Sequence, residues 1–168
     1  VGIMQFNDEE GGAVIHEVKG ISTAGEDLKS VVNGITTLAF TPLSETLYEA
    51  ALYFRGGNVD YGNVGPLPSV AGSRVGNDPA GSQYLSPIGL DCQKNFIVLL
   101  TDGEPTNDVG ANGKISALPG FASLVGDCDG SGDGACLDDL AEYLFRADAA
   151  GGLDGLQNVA TYVIGFTV

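Results

Sequence analysis

Apolar and polar positions divide this chain into short, punctuated stretches. Residues 1–6 (VGIMQF) are mostly apolar and stop at NDEEGG, and residues 13–21 (AVIHEVKGI) alternate loosely. Two such runs across a short connection predict an antiparallel hairpin. Thr23 followed by Glu26 fits a capping box. Leu28, Val31, Val32 and Ile35 then recur at the spacing of one helical face, with Gly34 near its end. Thr41 and Pro42 place a capping hydroxyl ahead of a proline suited to the first helical position. Leu43, Leu47, Ala50, Ala51 and Phe54 line one face of the helix that follows, and Arg55-Gly56-Gly57 ends it.

The second half follows the same logic. Residues 56–91 hold eight Gly and four Pro, which predicts a long surface insertion of irregular backbone or short hairpins. Residues 96–100 (FIVLL) are an unbroken apolar run ending at Thr101-Asp102-Gly103. Such a run reads as a strand buried on both faces. Residues 105–135 form a second irregular insertion, with one turn of helix near residues 118–125. Leu137, Leu140, Ala141, Leu144 and Phe145 predict a further amphipathic helix. Asp138 and Asp139 suit its first turn, and Glu142 with Arg146 makes a pair four residues apart. Residues 159–168 read as a last buried strand. The order ββααβαβ predicts one α/β domain with a mainly parallel sheet and two long insertions.

Composition narrows the function. The 168 residues carry 22 acidic and 7 basic side chains, a net charge of −15. Nucleic acids and anionic membranes, which are recognised through Lys and Arg, are disfavoured as partners. No apolar run is long enough to span a bilayer, so no membrane insertion is expected. The chain opens at Val1 directly on a strand pattern, which reads as a segment or a processed chain. His16 is the only histidine, so no zinc cluster forms, and it lies far in sequence from the serines and cysteines that would need it as a base. An enzyme is not expected. The GSGDG run at residues 130–134 lacks Lys and follows no strand, so it does not read as a phosphate loop. Tyr48, Tyr53 and Phe54 read as core or as packing for the insertions.

Three sets of residues carry candidate chemistry. Thr41 at a helix start and Asp102 at a strand end can converge at one rim of a parallel sheet, where oxygen ligands suit Mg²⁺, Mn²⁺ or Ca²⁺. Read separately, Thr41 is a cap and Asp102 a turn residue. Asp127, Asp129, Ser131, Asp133 and Asp138 approach the spacing of a calcium loop, with Gly132 at its sharp turn. The plain reading of that stretch is a solvated acidic loop. Cys128 and Cys136 bracket it and can form a small disulfide, the alternative being free thiols, while Cys92 has no partner within the chain.

TPLSETLYEAALYFRG (residues 41–56), CQKNFIVLLTDGEPTND (92–108), CLDDLAEYL (136–144) and QNVATYVIGF (157–166) together resemble a von Willebrand factor A domain. The likeness is nearest to the A-type domain of the PilY1/PilC type IV pilus proteins. It implies a doubly wound, mainly parallel sheet with one antiparallel edge hairpin. It also implies that Thr41 and Asp102 belong to a metal-ion-dependent adhesion site. In that family the first core strand ends in Asp-x-Ser-x-Ser; no such motif occurs here, and residues 1–6 match the second strand instead. The chain is therefore expected to lack the first core strand. The implied role is a non-enzymatic adhesion or assembly module, exported through the periplasm to a bacterial cell surface or pilus tip. Its partners would be pilus subunits or a surface ligand. Two rival readings are a filament scaffold stiffened by calcium or a disulfide, and an intracellular A-type domain partnering an ATPase.

Overall fold

A computed structural model describes residues 1–166. Strands β1 (Ile3–Phe6) and β2 (Gly12–His16) pair antiparallel, with a register shift between Ile3 and Met4. Strands β3 (Asn95–Thr101) and β4 (Val159–Gly165) pair in parallel, from Asn95 opposite Val159 to Thr101 opposite Gly165. The chain is thus α/β, with one parallel pair and one antiparallel hairpin. The single sheet expected from the sequence is not formed among the described residues, where each pair stands as its own two-stranded sheet. No strand of the chain lies between β1 and β3. The last two residues of the expected final strand lie outside the described residues.

Helix α1 (Ile21–Gly34) starts at Gly20 with no side-chain cap, so the capping box expected at Thr23 and Glu26 is not formed. Thr23 already lies inside the first turn, its N–H donating to the Gly20 carbonyl at 2.9 Å, and Glu26 pairs with Lys29 at 2.8 Å. β2 ends at His16, short of the expected Ile21, because its partner strand begins only at Ile3. Helix α2 (Leu43–Arg55) is the centre of the molecule, with eleven of its thirteen residues buried. Thr41 does not cap it. The capping carboxylate comes from Asp108, whose Oδ2 accepts from the Ser44 N–H at 2.8 Å and whose Oδ1 accepts from the Glu45 N–H at 3.0 Å. Gly56 ends the helix in the left-handed region at φ 62°, as the Arg55-Gly56-Gly57 sequence predicts.

One side of α2 presents Leu47, Ala51 and Phe54 to a core shared with helices α3 (Asn112–Ser116), α4 (Phe121–Leu124) and α5 (Leu137–Arg146). The same core takes Val159 from β4. On another side Tyr53 packs with Val14, Val59 and Tyr84. The two stretches expected to be peripheral insertions are therefore part of the interior. The first supplies Tyr61, Tyr84 and Ile88, and the second supplies Ala111, Ile115, Leu118 and Phe121. Their glycines and prolines break periodicity, yet each large apolar side chain so buried is worth roughly 1.5–3 kcal/mol. The Glu142–Arg146 pair closes at 2.6 Å on the outside of α5.

Strands β3 and β4 are not buried on both faces. Leu99 and Val159 face the core, whereas Phe96, Val98 and Leu100 are 57%, 56% and 53% exposed, and Tyr162 and Ile164 lie on the same outer side. Helices cover one face only. A groove of about 590 Å³ runs between β1 and β3 with α2 as its floor.

The Asp108 cap gives a direct expectation. Asp108→Ala strips two buried backbone N–H groups of their acceptor and lowers unfolding free energy by roughly 1–3 kcal/mol. Asp108→Asn, which keeps one acceptor, loses less. A urea titration measures both; an Asp108→Ala protein as stable as the parent would remove the cap from this account.

Candidate functional site

The carboxyl end of β3 meets the start of α2. Thr101 wraps its own turn, its hydroxyl donating to the Gly103 carbonyl at 3.0 Å. The chain then passes Asp102, which is exposed, and reaches Glu104 and Thr106. Thr41 is clasped to this loop by four hydrogen bonds. Its hydroxyl donates to the Glu104 carbonyl at 2.7 Å. Its N–H donates to Thr106 Oγ1 at 3.0 Å, and the Thr106 N–H returns to the Thr41 carbonyl at 3.2 Å. Because the Thr41 proton is engaged, the fourth bond, at 3.0 Å between the two hydroxyls, has Thr106 as donor. One lone pair of Thr41 Oγ1 is left for a further partner.

Thr41 and Asp102 thus stand on two stitched segments at one rim. A hard cation takes about six or more oxygens, and among the described residues no group of three His, Cys, Asp or Glu side chains converges to hold one. Thr41 and Asp102 alone do not make a complete Mg²⁺ or Mn²⁺ site. The Ca²⁺ reading of the acidic loop gains no geometric support either. Asp127, Asp129, Ser131, Asp133 and Asp138 are all exposed. Asp133 turns away to accept the Asp108 N–H at 2.6 Å, and Asp138 belongs to the first turn of α5. Cys128 and Cys136 are joined in a disulfide across this loop, and Cys92 is free and exposed.

The residues that do the most here are ones that the sequence pattern assigned to the solvent side of α2. Glu45 is 1% exposed and Glu49 is fully buried. Glu45 accepts from the N–H of Gly11 at 2.7 Å and of Gly110 at 2.8 Å. Glu49 accepts from three successive N–H groups, those of Asp60, Tyr61 and Gly62, at 2.9–3.1 Å. It also takes the Tyr84 hydroxyl at 2.6 Å. A Cβ on Gly62 would lie 2.9 Å from Glu49 Oε1 and 2.3 Å from the Tyr84 hydroxyl, so only glycine lets that backbone approach. Arg74, 1% exposed, is held by carbonyls instead, donating to Ser69, Gly62 and Gly81. One signal in the sequence pointed to the two acids: Glu45 and Glu49 are a like-charge pair four residues apart, which an exposed helix disfavours.

Burial pushes the carboxyls of Glu45, Glu49 and Asp108 above their usual range, outweighing the N–H donors. Neighbouring negative charge adds to this, from Asp108 at Glu45 and from Asp133 at Asp108. Tyr84 is likewise pushed up by burial and by Glu49.

Comparison with known protein families, curated proteins and solved structures gives no match.

Two expectations follow. A carboxyl whose folded pKa is raised contributes stability at and below the ordinary carboxylate range and loses it as pH rises through the folded value. The urea midpoint should therefore fall between about pH 5 and about pH 8, and Glu49→Gln should make that fall shallower. An unchanged slope in the Gln variant would contradict the assignment. For the cysteines, alkylation of the unreduced, denatured protein should label Cys92 alone, and all three after reduction. Replacing Cys128 and Cys136 by Ser should cost about 2–3 kcal/mol, the chain-entropy value for a loop this short.

Proposed function

We propose that this chain is a non-enzymatic adhesion or assembly module whose partner meets the rim formed by Thr41 and Asp102. The observation that carries the reading is the clasp itself. Four hydrogen bonds hold the Thr41 segment against the loop after β3, and the exposed Asp102 carboxylate sits on that same loop. Ligands of open α/β sheets bind beyond the carboxyl ends of the strands, which is where this rim lies. Together with the likeness of residues 41–56, 92–108, 136–144 and 157–166 to a von Willebrand factor A domain, this supports a PilY1-like, type IV pilus-associated role at a bacterial surface. The doubly wound sheet belongs to the same proposal. Mg²⁺ or Mn²⁺ would bind at the rim only with further oxygen ligands from outside these residues, and the partner would be a protein.

The disulfide between Cys128 and Cys136 favours a second reading, a structural module of a surface filament in which the rim binds nothing.

Calorimetry with Mn²⁺ on the native protein, alone and with an acidic peptide as carboxylate partner, separates the two. Thr41→Ala and Asp102→Ala should each weaken Mn²⁺ binding about tenfold or more with the circular dichroism spectrum unchanged. Equal binding by all three proteins would take both residues out of the site. No binding by any of them would leave the scaffold reading.

A further inference from the structure

We infer that the groove between β1 and β3 accepts one extended β-strand, apolar on both faces, from a neutral or basic partner polypeptide. The inference does not depend on a cation at the rim.

The walls of the groove are strand edges. β1 gives one ladder to β2 and β3 gives one ladder to β4. Among the described residues, no other hydrogen bond reaches the backbone of residues 3–6 or 96–100. Two rows of backbone N–H and C=O groups are thus left beside a largely apolar space. Leaving such groups unpaired under an apolar cover costs several kcal/mol each in the limit where nothing compensates. A lipid or a small apolar ligand filling this space would impose that cost. A strand would satisfy both rows, as in peptide recognition by strand addition.

The floor and the rest of the lining say which strand. Leu47, Ala50 and Phe54 of α2 form the floor, so the side chains turned inward must be apolar. The alternate side chains would join Phe96, Val98 and Leu100, all more than half exposed, on the outer face. Val32 and Ile35, the uncovered apolar end of α1, also line the groove. A strand in a packed sheet occupies about 160 Å³ per residue, from its rise, strand spacing and layer depth. The groove's 590 Å³ therefore holds roughly four residues, the length of β1.

Two buried polar atoms in the lining point the same way. His16 and Thr46 are 4% and 6% exposed, and His16 Nε2 and Thr46 Oγ1 have no hydrogen-bond partner. His16 Nδ1 donates to the Glu17 carbonyl at 2.7 Å, which leaves Nε2 of the neutral ring as an acceptor in need of a donor. An incoming backbone N–H is such a donor. The net charge of −15 argues against a second copy of this chain as the occupant and favours a neutral or basic one.

The test uses two labelled peptides, each an apolar hexapeptide of alternating Val and Leu flanked by lysines. The second is N-methylated at alternate residues, so that charge and side chains are kept while one hydrogen-bonding edge is lost. Fluorescence anisotropy should show saturable one-to-one binding of the first and at least about tenfold weaker binding of the second. Amide exchange should slow in residues 3–6 and 96–100 when the first peptide is bound. Equal binding of both peptides would show capture by charge or oiliness and overturn the inference. No binding of either, or protection elsewhere only, would also overturn it. So would a dimer of the chain alone, seen by sedimentation, with the same amides already protected.

Discussion

Three carboxylates hold this molecule together by gathering backbone N–H groups around one helix. Glu45 draws in the turn of the first hairpin through Gly11 and the second long loop through Gly110. Glu49 draws in the first long loop through three consecutive amides. Asp108 closes the circuit by capping the helix that carries the other two. Each carboxylate pins a segment that has little regular structure of its own, so the loops are ordered by long-range polar contacts more than by local propensity. The arrangement has an electrostatic cost, visible in the raised carboxyl pKa values, and the hydrogen bonds to N–H offset part of it.

The apolar periodicities of α2 and α5 are strong enough to be read directly, because those helices bury their stripes against the core. The pairing of Cys128 with Cys136 and the helix stop at Gly56 are equally local features. What could not be read is where long-range contacts override local signals. Thr41 followed by proline has the form of a cap, yet a carboxylate 67 positions beyond it in the sequence caps the helix. Residues 56–91 and 105–135 look like surface insertions because glycine and proline hide their periodicity, yet Tyr61, Tyr84, Ile115 and Phe121 are buried. A single sheet was expected from an order of elements, and an order does not say whether a neighbouring strand is supplied. The rim was half legible: the sequence placed Thr41 and Asp102 at facing ends, but not the Thr106 hydroxyl that ties them into one structure.

The rim and the groove meet different demands. The rim is polar, exposed and held by short hydrogen bonds, so it can present oxygens without rearranging. The groove is apolar and bounded by open ladders, so its complement must bring a backbone. A partner engaging one need not engage the other, and the floor of the groove and the clasp at the rim share α2 as their common support.

The close approach of Gly62 to Glu49 has a consequence for how this chain tolerates change over generations. In most domains the positions least free to vary lie in strands and helices, while loops drift. Here the outer faces of β3 and β4 are open and can accept many side chains, whereas a methyl group at Gly62 or Gly110 would collide with a buried carboxylate. Lineages descending from this sequence should keep their loop glycines while their strands diverge.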